Sequence, residues 1–121
     1  MPITSEHLSL LDETGEVYIE TMSSRGPIKT IIWIVVIDDQ VYVRSVRGES
    51  GRWYERALAD PSVSVHVGDH EMDFRAVPVE DPGEIEAVSQ ALREKYPPGG
   101  SLDRMTRNEV LDNTLRLEPA S

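Results

Sequence analysis

At 121 residues, with net charge −10 and no cysteine, the chain is sized for one domain with a modest core, and it excludes disulfides, zinc ribbons and cysteine nucleophiles. Twelve Lys and Arg against 22 Asp and Glu argue against nucleic acid or an anionic membrane as partner. No apolar run approaches a membrane span and no charged region leads into an apolar one at the start, so neither a membrane segment nor a secretory signal is expected; the lack of cysteine agrees with a reducing cytoplasm.

Residues 3–12 carry Ile3, Leu8, Leu10 and Leu11 behind Thr4 and Ser5 as caps, which predicts a short helix that Gly15 ends. Val17, Ile19 and Thr21 alternate with Tyr18 and Glu20, the period of a half-buried strand, and 23–27 is a turn cluster. Residues 28–37 are β-branched and aromatic and read as one central strand. Asp38-Asp39 is a turn signal, and 40–45 returns as a hairpin partner. A helix over 51–59 buries Trp53, Ala57 and Leu58 on one face and stops at Asp60-Pro61.

Val63, Val65 and Val67 alternate with polar residues up to a two-residue turn at Gly68-Asp69. The return strand, 70–79, turns Met72, Phe74 and Ala76 inward, and pairing across the turn sets Val65 against Met72 and Val63 against Phe74. Asp81-Pro82-Gly83-Glu84 opens a helix with Ile85, Val88 and Leu92 as its buried stripe, and Tyr96-Pro97-Pro98 stops it. A short helix over 102–111 and a last strand over 113–118, with Leu115 and Leu117 inward, complete the chain. Tight hairpins imply antiparallel pairing. About six strands with few helices predict a small antiparallel barrel, whose closure would remove the sheet edges.

The stretch with most chemistry is Val43-Arg44-Ser45-Val46-Arg47-Gly48-Glu49-Ser50-Gly51-Arg52-Trp53. A strand runs through a polar loop into a helix, and three arginines fall within nine residues of an acidic chain. Gly48 and Gly51 allow close backbone approach, and Ser50 stands at the helix N-cap, where free N–H groups and the helix dipole favour an anion. Two readings follow: a loop for the phosphate of a nucleotide-like cofactor, or a solvated turn whose arginines pair with carboxylates.

With Lys29-Thr30-Ile31-Ile32-Trp33-Ile34 before the hairpin, this loop, and Trp53-Tyr54-Glu55-Arg56-Ala57-Leu58-Ala59-Asp60-Pro61 after it, the chain resembles the flavin-binding split-barrel superfamily. That group includes pyridoxamine 5′-phosphate oxidase and the deazaflavin-dependent reductases, and the likeness is closest to a small uncharacterised bacterial family within it. The resemblance implies a six-stranded antiparallel split β-barrel with two to four flanking helices, spanning 1–121 as a single domain. It implies FMN, or the deazaflavin F420, as cofactor. Lys29, Ser50 and Arg52 would hold the phosphate, Thr30, Ile31 and Ile32 would lie along the ring, and Ser45 would face the cofactor from the strand end. Arg44, Arg47, Gly48, Gly51 and Trp53 complete the expected binding set. It further implies a homodimer with each site at the subunit interface, acting as an oxidoreductase on a small molecule. A cofactor carrier, or a cofactor-free dimeric module on the same fold, is the alternative.

The chain departs from the oxidases in lacking their substrate-binding residues, and from the deazaflavin branch in its short loop at Arg47-Gly48-Glu49. His66 and His70 invite a metal reading, but the expected hairpin register points them to opposite faces, so no metal site is expected; a His66–Glu71 contact is expected instead. His7 reads as a surface residue. Ser45 and Ser50 have no His and Asp in a triad-like pattern, which argues against a hydrolase. Arg104 and Arg107 either balance acidic surface or reach a partner's site.

Overall fold

A computed structural model of the chain describes residues 3–46 and 52–120. The expected loop residues Arg47, Gly48, Ser50 and Gly51 lie outside them. The elements are α1 (Ser5–Glu13), β1 (Glu16–Ser23), β2 (Gly26–Trp33), β3 (Val35–Ile37), β4 (Gln40–Arg44), α2 (Arg52–Ala59), β5 (Ser62–Val67), β6 (His70–Pro78), α3 (Pro82–Lys95), α4 (Gly100–Thr106), a 3-10 helix at Asn108–Asn113, and β7 (Thr114–Pro119). All strands pair antiparallel in one curled sheet of order β2-β1-β5-β6-β7-β4-β3.

The sheet has seven strands where six were expected. The run 28–37 is not one strand: it breaks at Ile34, and its halves go to opposite ends of the sheet. β2 pairs with β1 along its whole length, from Ser23↔Gly26 to Glu16↔Trp33. Only Val35–Ile37 forms the expected hairpin with β4. Nor does hydrogen bonding close the barrel: the sheet is an open half-barrel whose two edge strands, β2 and β3, are joined end to end through Ile34.

A residue between two diverging strands loses the ladder partners of its own backbone, and burial makes that costly. Ile34 is fully buried. Its N–H donates to the Tyr96 hydroxyl (2.9 Å), and its carbonyl accepts from Lys95 Nζ (2.7 Å). The single proton of the Tyr96 hydroxyl has two carbonyls in reach, Gly15 at 2.5 Å and Ile34 at 3.1 Å. Lys95 also donates to the Leu11 carbonyl (2.9 Å), so the end of α3 ties together α1, the start of β1 and the β2–β3 joint. The Tyr96 ring stacks on Trp33 at 3.9 Å and 3°.

The turns follow from their residues. Asp38 and Asp39 both take positive φ (50° and 66°), the backbone of a type I′ hairpin. At the β5–β6 turn Gly68 takes φ 57°. That hairpin has the expected register, with Val63↔Phe74, Val65↔Met72 and His66↔Glu71. Thr4 and Asp81 cap α1 and α3, each accepting from the backbone N–H three residues on.

Two cores share β4, which is buried on both faces. Val41 and Val43 face the inside of the curl with Ile19, Phe74 and Leu117, closed by Trp53 and Ala57 of α2. Tyr42 faces a second core with Val35, Val88, Leu92 and Leu102, beneath α3 and α4. Three local expectations are corrected. Leu58 is exposed, because the apolar face of α2 is the i, i+4 pair Trp53 and Ala57. The stretch 102–111 is an α-helix that gives way to a 3-10 helix at Asn108. His66 bonds Glu20 at 3.1 Å, across the β1–β5 pairing, and not Glu71. His7 is half-buried, with Nδ1 accepting from Thr4 N–H in the α1 cap.

The Ile34 joint makes a prediction. Tyr96→Phe keeps the stacked ring but strips the Ile34 N–H of its acceptor and the Gly15 carbonyl of its donor. Urea unfolding should show a loss of about 2–4 kcal/mol at unchanged slope. The joint also sets a pH dependence, since burial raises the Tyr96 hydroxyl to about 12, and burial with the Glu84 carboxylate does the same to Tyr42. The unfolded chain sheds these protons nearer pH 10, so between pH 10 and 12 the folded state binds more protons and stability falls as pH rises. Tyr96→Phe should flatten part of that slope in urea titrations across this window.

Candidate functional site

The two cores meet at the Ile34 joint, and a cavity of about 180 Å3 opens along this seam. Ile32 and Trp53 come to its wall from the main core, and Trp33, Val46 and Met105 from the second. Its charged walls are Arg44, Arg104 and Glu16, with Ser101 beside them. The volume is below the roughly 300–1,000 Å3 of whole drug-sized sites, so it suits one ring or a fragment of a larger ligand.

Arg44 is the unusual residue. It is 2% exposed, and parity along β4 puts it on the side of Tyr42, under α3 and α4. Its Nε donates to Thr114 Oγ1 (2.8 Å), Nη1 to Ser89 Oγ (2.8 Å) and the Met105 carbonyl (3.0 Å), and Nη2 to the Ile85 carbonyl (3.0 Å). These acceptors are neutral, and among the described residues no carboxylate lies within ion-pair distance. Burial, and then the charge of Arg93, lower its pKa to about 10, so it stays a cation at neutral pH. Most of the guanidinium is committed to holding β4, β7, α3 and α4 together, a role the sequence reading did not assign.

A second cationic locus lies on α2. Arg52 and Arg56 are one turn apart, and Arg56 Nε donates to Thr21 Oγ1 (2.8 Å) with Nη2 at 3.5 Å from Thr30 Oγ1. The sequence reading missed Arg56; its i, i+4 spacing from Arg52 was the available signal. Arg52 is exposed at the start of α2. Thr30 lies opposite Ile19, on the inner face of the β1–β2 pair. Lys29 and Ile31 belong to the other face, opposite Glu20 and Tyr18. The structure thus brings Thr30 to Arg56 of α2, Ile31, Ile32, Arg44 and Trp53 to the cavity, and leaves the Lys29 side chain on the outer face. Ser45 is buried, with its hydroxyl donating to the Val46 carbonyl and its backbone tied to Asn113. Trp53 is a core residue that also walls the cavity.

A larger cavity, about 720 Å3, lies elsewhere, between α1 and the β4–β7 pair. There Glu84 accepts from Tyr42 (2.5 Å) and Arg116 (2.8 Å), which hold its carboxyl below the usual range, and Arg116 also bonds Glu118. Its Glu84, Arg116 and Glu118 are paired with one another, and Asp39 also lines it. Among the described residues no group of three His, Asp or Glu is placed to hold a metal ion, and no helix is long and apolar enough to cross a membrane.

The curled antiparallel sheet and its flanking helices are the fold of flavin-binding split-barrel proteins, as the solved structures show. The Vibrio cholerae heme storage protein HutZ is 18% identical, with 100% of this chain and 92% of that one covered at a TM-score of 0.71. An FAD-binding protein from Mycobacterium smegmatis is 18% identical over 100% and 94% of the two chains, TM-score 0.69. An F420-H2-dependent reductase (FDR-A) is 22% identical over 85% and 93%, TM-score 0.66. No curated protein matches. The chain belongs to the family described as an uncharacterised protein conserved in bacteria (DUF2255), which matches residues 7–117.

Arg44→Met would remove four hydrogen bonds and leave two hydroxyls and two carbonyls under α3 and α4 without their donor. We expect a loss of at least about 3 kcal/mol in urea unfolding, whereas Arg52→Ala, at an exposed position, should stay within about 0.5 kcal/mol.

Proposed function

We propose that this protein is a homodimeric oxidoreductase that binds a phosphorylated flavin-type cofactor, FMN or a deazaflavin, with its phosphate at α2 and its ring along Thr30–Ile32 of β2. The observation that carries this reading is the contact of Arg56 with the Thr21 and Thr30 hydroxyls, with Arg52 one turn away on α2, where β2 runs on from Thr30 into the cavity-lining Ile31 and Ile32. Guanidiniums and a hydroxyl are the donor set a phosphate takes, and the apolar edge strand running on from Thr30 offers a planar ring a surface to lie along, beside the cavity and not within it. The relatives of this fold that carry FAD or F420-H2 in their names add support. The cofactor would carry the redox chemistry. The protein would anchor the phosphate, orient the ring and exclude water, so no side-chain acid or base is required.

The dimer reading is supported by an apolar patch on the outer face of β1 and β2. Tyr18 and Ile31 face each other there at 47% and 53% exposure, with Met22 at 44%. Side chains of this size on a two-stranded edge are unusual on a monomer's surface. Ile31 belongs both to this patch and to the cavity wall, so a partner seated on the patch would also wall the cavity.

Two measurements test the reading. Titrating the purified protein with FMN and with riboflavin should show tighter binding of FMN. Arg52→Ala or Arg56→Ala should weaken FMN about tenfold or more while leaving riboflavin unchanged, because a charge-assisted hydrogen bond is worth about 1.5–3 kcal/mol. Equal losses for the two ligands would remove phosphate recognition from α2. For the dimer, light scattering at micromolar concentration should give twice the chain mass, and Ile31→Glu should reduce it to one; a wild-type monomer would contradict the assembly.

A further inference from the structure

The seam cavity holds charge that a phosphate on α2 does not use. Arg44 forms its buried wall, and Arg104 and Ser101 its exposed side. Among the described residues neither arginine is in an ion pair. Glu16 offsets one of these charges, so the described lining residues carry a net single positive charge in a chain of net charge −10. The four intramolecular hydrogen bonds of Arg44 also leave one Nη2 N–H with no acceptor among the described residues. The carboxylate whose charge reaches Arg44, Glu86, is itself paired with Arg93, and a buried cation without a close counter-charge of its own is costly, so a bound anion is a simple compensation.

The remaining walls are Trp33, Trp53, Ile32 and Met105, which favour an apolar, flat body. The Trp33 ring is held in place by its stack on Tyr96, so the slot is preorganised. We propose that the seam cavity binds a small aromatic carboxylate, with its ring among these side chains and its charge towards Arg44 and Arg104. One ring and one carboxylate match both the volume of about 180 Å3 and the single net charge. The site needs no cofactor to form; only its role as a substrate site rests on the cofactor reading above, in which the acid would lie beside a ring running along Thr30–Ile32.

Benzoate tests this directly, since both tryptophans of the chain line the cavity and report its occupancy by fluorescence. At pH 7 benzoate should quench saturably, and benzamide, its neutral isostere, should bind roughly tenfold more weakly or worse. Arg104→Ala, at an exposed position, should fold normally and lose roughly tenfold in benzoate affinity with benzamide unchanged. Arg44→Lys, provided it folds, should do the same; if it unfolds, Arg104→Ala decides. Equal binding of benzoate and benzamide, unchanged benzoate affinity in Arg104→Ala, or no saturable benzoate response by about 10 mM in the folded protein would overturn the proposal. FMN binding without benzoate binding would sink this site and leave the cofactor reading standing. Benzoate binding without FMN binding would do the reverse.

Discussion

The protein depends on how it satisfies one backbone residue. Ile34 sits where a single run of chain leaves one edge of the sheet and joins the other, and there it has no ladder partner on either side. A buried N–H and C=O left unpaired would each cost on the order of 1–3 kcal/mol. The chain meets both from one place, the last turn of α3, through the Tyr96 hydroxyl and the Lys95 ammonium. Lys95 makes these bonds half-buried, so burial pulls its pKa down and Asp12 pulls it back. The same two residues also hold Leu11 and Gly15, so α1, β1, β2, β3 and α3 all meet at this joint.

The site is a by-product of that joint. Where the sheet parts, the inner core and the α3–α4 core touch without merging, and the seam between them is the cavity. Tyr96 fixes the break with its hydroxyl and fixes one wall of the cavity with its ring, which stacks on Trp33. Arg44 acts likewise on the other side, crossing from β4 to β7, α3 and α4 while contributing to the cavity wall. The packing of the second core and the shape of the site are therefore set by the same few side chains.

What was legible in the sequence is what is encoded locally. Alternation in 63–67 and 70–76 around Gly68-Asp69 fixes the β5–β6 register residue by residue, and Asp81-Pro82 fixes the start of α3. The break at Ile34 was not legible, because β-branched and aromatic residues run through 28–37 without a proline, a glycine or a change of period. What breaks that strand is the pairing of its two halves with strands far apart in the sheet, and the partner of Ile34 is 62 residues away. Arg44 is similar: beside Arg47 and Arg52 it reads as one more loop cation, and only Thr114, Ser89 and Met105, brought in by the fold, show it to be interior. Parity along β2 likewise separates Lys29 from Thr30, which the sequence-based site had grouped together.

The position of β7 has a consequence for synthesis on the ribosome. The last strand of the chain lies between β6 and β4, so among the described residues it joins the β2-β1-β5-β6 half of the sheet to the β4-β3 hairpin by strand pairing. The first half can assemble from adjacent pieces as they emerge, since β1–β2 and β5–β6 are local hairpins. β4 and β3 must wait for residues 114–119, and so must the seam that their docking creates. Until then β4 presents an apolar strand with an unpaired edge, a template for wrong partners. A nascent chain stalled before Thr114 would therefore hold most of its strands while its seam stayed open.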